Sequence, residues 1–246
     1  MRSAGACTLR GWVGRPSELM YYDLHIHSAL SPCAEDEMTP GNVCAMARLK
    51  GLELIAVTDH NSAGNLRAFE RASRERGLML LPGIEICTSE EVHLLAYFPR
   101  VEQAERMGAW CKEQLKGQKN RPDYFGPQLL MDHQDQVTGE EEALLIGALA
   151  ADLSQVCRRV EAGGGVTVPA HVHRSFGLIT VLGFFPPEAG FKAAEVQPGE
   201  GLPPGLMALY SSDAHQLGTI AEREHSLPVL PRSADGVIAF LREGIP

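Results

Sequence analysis

A single mixed α/β domain is the fold that this sequence predicts. Short apolar runs typical of buried strands alternate with segments that carry helix start and stop signals. No repeat, linker or low-complexity tract divides this alternation. With 246 residues and 44% hydrophobic content, the chain is long enough to bury one large core. We therefore expect one layered domain over residues 20–246, with a sheet that is either open or closed into a barrel.

The first half of the chain is predicted to consist of strands joined by helices. The run that ends in DLHIH is a strand, and Thr39 and Pro40 cap and begin a helix that ends near Gly51. LELIAVTDH is a buried strand, and the helix after it begins at Ser62 and stops at Gly77. LMLLPGIEIC and EVHLLAYF are two further strands. This β-α-β-α-β order implies parallel strands with right-handed crossovers.

The second half continues the rhythm after one irregular stretch. A helix is expected in VEQAERMGAWCKEQLKG, whereas PQLLMDHQDQV is either a strand or a small excursion from the main sheet. LSQVCRRVEAGGG is predicted to be a helix that ends in a tight turn. The runs VTVPAH, AAEVQ and LMALYSSDAH are further strands, and SADGVIAFLREG is the closing helix.

Charge and cysteine content exclude several classes of protein. The net charge of -9 and the pI near 5.5 leave no basic surface for nucleic acid or anionic lipid, so we expect neither as a partner. The six cysteines show no C-x-x-C spacing, which argues against a zinc ribbon or redox pair and favours reduced thiols in a cytoplasmic protein. No segment has the length of a membrane span, and the N-terminus lacks the apolar run of a signal peptide. Residues 1–19 are expected to be a disordered extension before a true start at Met20.

Polar side chains interrupt the apolar pattern where the predicted strands end. They are His25, His27, Asp59, His60, Glu85, His93, His171, Asp213 and His215. Because the carboxyl ends of parallel strands share one edge, we expect these side chains to converge on one rim. Imidazole and carboxylate groups without clustered thiolates suit zinc, manganese or iron better than calcium or magnesium. The set is large enough to hold more than one metal ion, which would also supply the positive charge that this acidic chain lacks.

Six short motifs occur in order between Tyr21 and Leu217, namely DLHIH, TDHN, GIE, VHLLAY, PAHVHR and SSDAH. Together they resemble the successive motifs of the polymerase and histidinol phosphatase (PHP) superfamily of metal-dependent phosphoesterases. The resemblance implies a distorted (β/α)7 barrel of the PHP type with a trinuclear metal site at its C-terminal mouth. It also implies hydrolysis of phosphate esters with two to three divalent metal ions, which are zinc, manganese or iron.

The resemblance further implies which residues bind each metal. The first metal would be held by His25, His27, Glu85 and Asp213. The second would share Glu85 and be completed by His93 and His171. The third would take His60, His215 and one ligand from the loop after the first motif. Where a histidine or aspartate is often found in that loop, this chain has Pro32 and Cys33, so Cys33 or Asp36 would complete the third position.

Four further residues near the motifs are assigned roles around the metals. Arg174 directly follows the AHVH motif, where its guanidinium can bind a phosphate through two parallel hydrogen bonds. Asp23 and Asp59 are expected to accept hydrogen bonds that fix ring orientation, although Asp59 could instead protonate the leaving group. His173 would either face the substrate as a donor or proton source, or lie on the rim without a catalytic role.

The expected function is hydrolysis of the phosphate ester of a small metabolite, such as a sugar, nucleotide or histidinol phosphate. Two metals can lower the pKa of a bridging water and clamp the phosphate for in-line attack by hydroxide. A nuclease or phosphodiesterase acting on nucleic acid is one alternative, against which the acidic composition argues. A non-catalytic metal-binding regulatory module is the other, against which the nearly complete set of motif ligands argues. The sequence predicts no oligomeric state.

Overall fold

The computed structural model describes residues 19–115, 117–229 and 231–244. The strands are β1 (Leu19–Ile26), β2 (Leu54–Val57), β3 (Met79–Cys87), β4 (His93–Tyr97), β5 (Leu129–Met131), β6 (Val137–Glu140), β7 (Val166–Pro169), β8 (Ala193–Glu195), β9 (Met207–Leu209) and β10 (Ser226–Pro228). The helices are α1 (Pro40–Leu49), α2 (Leu66–Glu75), α3 (Val101–Gln114), α4 (Pro122–Phe125), α5 (Leu153–Ala162), α6 (Leu178–Leu182) and α7 (Ala234–Glu243). The mixed α/β class predicted from the sequence is confirmed.

The main sheet has six strands in the order β10-β1-β2-β3-β4-β7. Strands β1, β2 and β3 are parallel to one another, as the helical crossovers predict. Strand β4 is antiparallel to β3 and to β7, because residues 88–92 form a connection too short for a crossover. Strand β10, which the sequence analysis did not predict, pairs antiparallel with the start of β1. The sheet is therefore parallel at its centre and mixed towards both sides.

The sheet curls towards a separate parallel pair, β8 and β9. The Val172 amide, just after β7, donates to the Glu195 carbonyl at the end of β8. On the other side, Ile26 at the end of β1 forms an isolated parallel bridge with Ala214. These contacts give a curled half-barrel. The described ladders form sheets of six, two and two strands, so the seven-stranded (β/α)7 barrel stays a prediction.

The central strands are buried on both faces because helices and loops cover both sides of the sheet. Along β2, Ile55 and Val57 belong to one apolar cluster, whereas Leu54 and Ala56 belong to the other. This alternation follows from the two-residue period of a strand. Strand β2 is therefore a continuous apolar run, which is the pattern typical of a buried parallel strand.

Two predicted helix starts have different outcomes. The Thr39 side chain accepts from the Asn42 amide and Pro40 is the first helical residue, so the predicted start of α1 is confirmed. The predicted start of the next helix at Ser62 is wrong, since α2 begins at Leu66 after Asn65. In the structure Ser62 Oγ accepts from the Gly64 amide within a turn, and the first bond of the helix joins the Phe69 amide to the Asn65 carbonyl.

The irregular stretch in the middle of the chain is an excursion from the main sheet. Strands β5 and β6 form a separate antiparallel hairpin. It is anchored to the loop after β1, because the Leu129 amide donates to the Ala29 carbonyl and the Asn65 side chain donates to the Leu129 carbonyl. The hairpin thereby supports the loop that follows the DLHIH motif.

The predicted disordered extension over residues 1–19 lies outside the described residues except at its last position, where Leu19 begins β1. None of the helices in the described ranges is long and apolar enough to cross a membrane.

Candidate metal centre

The predicted metal ligands come together at one edge of the curled sheet. His25 and His27, two residues apart at the end of β1, have fully buried rings 5.1 Å apart between centroids. The others follow or end neighbouring strands: Glu85 in β3, His60 after β2, His171 after β7, and Asp213 and His215 after β9. The structure therefore brings together side chains that are separated by up to 190 positions in the sequence.

His93 reaches the same edge by a different route from the one expected. The sequence analysis placed His93 at the end of a strand, but it begins β4. Because β4 runs antiparallel to β3, its first residue pairs with Cys87 at the end of β3. The expected strand direction was wrong, and the expected location at this edge holds.

Glu85 lies at the centre of the group and is 1% exposed. Its two carboxylate oxygens lie close to five imidazole nitrogens: 2.8 Å from His93 Nδ1, 3.0 Å from His60 Nδ1, 3.1 Å from His171 Nε2, and 3.4 Å from both His25 Nε2 and His27 Nε2. A carboxylate surrounded by imidazoles on both oxygens has the arrangement of a ligand that bridges two metal ions.

Asp213 forms the second carboxylate of the group. Its Oδ1 lies 3.3 Å from the Nε2 atoms of both His25 and His27, and these two nitrogens lie 3.2 Å from each other. His215 Nδ1 lies 2.8 Å from the Asp213 carbonyl oxygen, so this nitrogen is the donor. Its Nε2 is then left with a free electron pair, as a metal ligand requires.

Two hydrogen bonds fix the tautomers of the first two histidines in the same way. His25 Nδ1 lies 2.8 Å from Glu195 Oε2 and donates to it. Ser31 Oγ donates to Asp59, so it accepts from His27 Nδ1, which lies 2.9 Å away. In both rings the neutral tautomer therefore has its electron pair on Nε2, which faces Asp213 and Glu85.

Several buried atoms of the group lack a hydrogen-bond partner, which is unusual for buried polar atoms. They are His60 Nδ1, His171 Nδ1, Glu85 Oε2 and Glu195 Oε1; His60 Nδ1 and Glu85 Oε2 lie 3.0 Å apart but not in hydrogen-bonding geometry. Three sets of side chains also hold potential ligand atoms within 4.8 Å of one another: His25, His27 and Asp213; His60, Glu85 and His93; and His27, Cys33, His60 and His215. This mostly nitrogen and oxygen donor set fits divalent metals such as zinc, manganese and iron.

The carboxylates control the pKa values of the buried rings. Burial by itself lowers the pKa of His25, but Glu195, Asp213 and Glu85 outweigh it and hold that pKa well above its ordinary value. Burial also opposes protonation of His27, yet the nearby carboxylates of Asp213 and Glu85 raise its pKa to about 9. The carboxylates around these two rings therefore favour their protonated forms. A bound metal ion would displace those protons and take over that charge.

Glu195 is a part of the site that the sequence analysis missed. It ends the short strand β8, is fully buried, and positions His25 through the hydrogen bond described above. The available signal was a single acidic residue within the apolar run AAEV. A charged residue in such a run needs a buried partner.

Asp59 and Asp23 both accept hydrogen bonds behind the ligands. Asp59 is 3% exposed and accepts from the Ser28 amide, Ser28 Oγ and Ser31 Oγ at 2.6–2.7 Å. Asp23 accepts from Ser212 and from the amide of residue 221, which ties β1 to the loop that carries Asp213. Of the two roles left open for Asp59, this geometry favours positioning over proton donation.

The group opens into a cavity of about 360 Å³. Arg174 lines it, with a side chain that is 42% exposed and donates from Nη2 to Asp213 Oδ2 at 3.0 Å. His173 does not line the cavity, because its ring is exposed and Nε2 bonds to the Gly201 carbonyl 2.8 Å away. Of its two expected locations, the geometry favours the rim.

A tight loop after β7 carries one wall of this cavity. His171 and Phe176 both have left-handed φ angles, +27° and +60°, which is uncommon for residues with side chains. The Phe176 ring stacks on the His93 ring with centroids 4.9 Å apart. Gly177 closes the loop where a Cβ would lie 2.3 Å from the His171 carbonyl oxygen. The sequence analysis did not single out Phe176.

The chain matches a model of a known protein family, and it is similar to curated proteins. A family model described as "PHP domain" matches residues 23–159. A 3',5'-nucleoside bisphosphate phosphatase from Chromobacterium violaceum is 32% identical over 111 residues, which is 44% of this chain and 37% of that protein. A 5'-3' exoribonuclease from Haemophilus influenzae is 33% identical over 70 residues, which is 28% of this chain and 24% of that protein. The chain thus matches well under half the length of either relative.

Solved structures share the fold at low sequence identity. A protein from Bifidobacterium adolescentis, provisionally assigned as a metal-dependent phosphoesterase, has a TM-score of 0.57 and 20% identity, with 92% of this chain and 96% of that chain covered. A lesion-specific endonuclease from Pyrococcus furiosus has a TM-score of 0.60 and 16% identity, with 92% of this chain and 56% of that chain covered.

Proposed function

The chain belongs to the PHP domain family, and from this membership we propose that it is a metal-dependent phosphoesterase that hydrolyses the phosphate ester of a small metabolite. The observation that carries the proposal is the convergence of six histidines with Glu85 and Asp213 at one cavity, with buried atoms that lack partners. Such a set is costly to bury unless it binds a cation.

The proposed ligands divide among two to three metal positions. The first comprises His25, His27, Glu85 and Asp213; the second comprises Glu85, His93 and His171; and the third includes His60 and His215. In the structure His60 is close to both Glu85 and His215, which makes it a neighbour of two of these positions. Divalent metals bound there would lower the pKa of a bound water and neutralise negative charge on the phosphate.

The residues around the metals have separate tasks in this proposal. Arg174 binds phosphate oxygens at the cavity mouth. Its guanidinium is half-exposed, so it can give up its bond to Asp213 and bind the substrate phosphate instead. Glu195 and Ser31 hold the rings of His25 and His27 in the tautomers that bind metal. Phe176 stacks on His93 and, with the loop of residues 171–177, forms one wall of the cavity.

The size of the cavity supports a small substrate. Its volume of about 360 Å³ falls at the lower end of the range for pockets that bind small molecules. The net charge of -9 opposes the approach of a nucleic acid. The similarity to the exoribonuclease nevertheless supports a nuclease as the second candidate function.

Replacement of Arg174 by alanine is expected to raise the KM for a phosphate ester by about 10- to 100-fold, because a charge-assisted bond to phosphate is lost. Lysine at this position keeps the charge without the fork, so Arg174→Lys should lie between wild type and Arg174→Ala. Steady-state kinetics of both variants provide the measurement. His173→Ala is the matched control, since its ring points away from the cavity and its KM should stay unchanged. Equal KM values for wild type and Arg174→Ala would contradict this role.

Replacement of Asp59 by asparagine is expected to weaken metal binding by about 10- to 100-fold, because Ser28 and Ser31 lose a charged acceptor and Ser31 no longer holds His27 firmly. Activity measured at saturating metal should then return close to the wild-type value. A variant that binds a full complement of metal and stays inactive would show that Asp59 is instead the proton donor. Metal titration with parallel kinetics distinguishes these two roles.

The proposal is tested by measuring phosphate release from a panel of sugar, nucleotide and histidinol phosphates beside the shortening of labelled oligonucleotides. The proposed function predicts phosphate release from at least one monoester and loss of that activity in His25→Ala. Shortening of oligonucleotides without release of phosphate from monoesters would favour the nuclease. Fully bound metal with neither activity would favour a regulatory module.

A further inference from the structure

The loop after the DLHIH motif places a cysteine among the histidines of the metal centre. We propose that Cys33 binds a divalent metal ion through its sulfur, as a thiolate, in a position shared with His60 and His215. This inference rests on the metal centre of the proposed function and adds one ligand and the metal preference that it brings.

The first observation is the distance between the ligand atoms. The sulfur of Cys33 and one ring nitrogen each of His27, His60 and His215 all lie within 4.8 Å of one another. Cys33, His60 and His215 also line the same cavity. Since His27 faces Glu85 and Asp213 with its Nε2, the other three residues are left to share a separate ion.

The second observation is that the loop is bonded to both histidines on either side of Cys33. Ser31 Oγ, two residues before Cys33, accepts from the His60 amide at 3.2 Å. The Glu35 amide, two residues after Cys33, donates to the His215 carbonyl at 2.9 Å. The segments on either side of Cys33 are therefore bonded to the backbone of both histidines.

The third observation is that both rings have nitrogen atoms available. His60 is 4% exposed, and within the described ranges neither of its ring nitrogens forms a hydrogen bond, although Nδ1 lies 3.0 Å from Glu85 Oε2 without hydrogen-bonding geometry. His215 uses Nδ1 to donate to the Asp213 carbonyl, which leaves Nε2 as an acceptor. Asp36, the other residue considered for this position, is exposed and does not line the cavity. Cys33 is therefore the residue of this loop that completes the position.

A thiolate changes which metal this position prefers. Sulfur is a soft ligand that favours zinc, iron or cobalt over manganese and magnesium. On binding, the S–H bond breaks, the proton passes to solvent, and the sulfur donates an electron pair to the metal without any change in oxidation state. The site thus becomes one sulfur and two nitrogens, with room for a fourth ligand from water or substrate.

The experiment uses the full chain loaded with cobalt(II), because thiolate bound to cobalt gives a charge-transfer absorption in the near ultraviolet. We expect this band in the wild type and its loss in Cys33→Ser. Cys157→Ser is the matched control and should keep the band, since Cys157 contacts Thr167 outside the cavity. Cys33→Asp should keep the number of bound cobalt ions without the band, which separates loss of the sulfur from loss of the site.

A second measurement covers the case in which Cys33→Ser fails to fold. Cys33 is exposed, whereas Cys44, Cys87 and Cys111 are buried. Because partial desolvation and the Glu85 carboxylate raise the pKa of the Cys33 thiol to about 12, alkylation by iodoacetamide is followed at alkaline pH. Cys33 should react there in the absence of zinc, and bound zinc should slow the reaction by at least about tenfold. Peptide mapping by mass spectrometry identifies the modified residue.

A charge-transfer band that persists in folded Cys33→Ser, or its absence in wild type with two or more cobalt ions bound, would overturn the proposal. So would alkylation of Cys33 at the same rate with and without zinc. These results do not depend on turnover. If the chain hydrolyses phosphate esters but shows no charge-transfer band, the proposed function stands and the thiolate ligand is refuted. If the band is present but no phosphate ester is hydrolysed, the thiolate ligand is supported and the proposed function is refuted.

Discussion

Replacement of Glu85 by glutamine is expected to remove at least one bound metal ion per chain and to lower phosphate ester hydrolysis by more than about a hundredfold. Glu85 is the residue whose two oxygens face five imidazoles. Glutamine keeps the shape of the side chain but loses its charge and turns one oxygen into a donor NH2 group. That group would face nitrogens which must present electron pairs to a metal.

The measurement for Glu85→Gln is metal content of the purified variant together with its rate on the best substrate. Glu161→Gln is the matched control, because Glu161 is exposed on α5 and does not line the cavity of the metal centre. Circular dichroism and thermal unfolding of both variants establish that they are folded. Wild-type metal content and wild-type activity in folded Glu85→Gln would contradict the assignment of Glu85 as a bridging ligand.

Removal of metal by a chelator is expected to lower the Tm by roughly 8–16 °C. A ligand present at about a thousand times its Kd stabilises the folded state by about 4 kcal/mol, and about 1 kcal/mol shifts the Tm of a chain of this size by about 2–4 °C. The effect arises because the buried carboxylates and imidazoles are assembled only in the folded chain. Several occupied positions would increase the shift.

Thermal unfolding before and after chelation, and again after addition of zinc or calcium, measures this effect. Zinc should restore the original Tm, whereas calcium should not, since calcium prefers oxygen ligands and most of the proposed ligands here are imidazoles. A Tm that is unchanged by chelation, in a chain from which metal has been removed, would contradict a centre that depends on metal for its charge balance.

The location of the candidate site could be predicted because its residues interrupt apolar strands. A histidine or carboxylate at the end of LHIH, LIAVTDH or GIEIC has no role in an apolar core, and parallel strands carry their ends to one edge. Glu195 was missed because the pattern around it is too short to show such an interruption. Its strand is only three residues long, so one acid there resembled a strand end at the surface.

Strand direction and loop geometry could not be predicted from such local signals. The sequence around His93 shows an apolar run, but its direction is decided by the short connection from β3 and by pairing with β7. The sequence left open whether His173, two residues after His171, faces the substrate or lies on the rim. In the structure the strand ends at Pro169 and the chain turns, so the two-residue period no longer applies.

The catalytic role of the metal centre is tested most directly by titrating metal into metal-free protein while phosphate release is recorded. We expect no turnover without metal, an increase with each equivalent added, and a plateau at two to three metal ions per chain. Turnover in the metal-free chain would contradict the account, as would a metal-loaded chain that hydrolyses no phosphate ester.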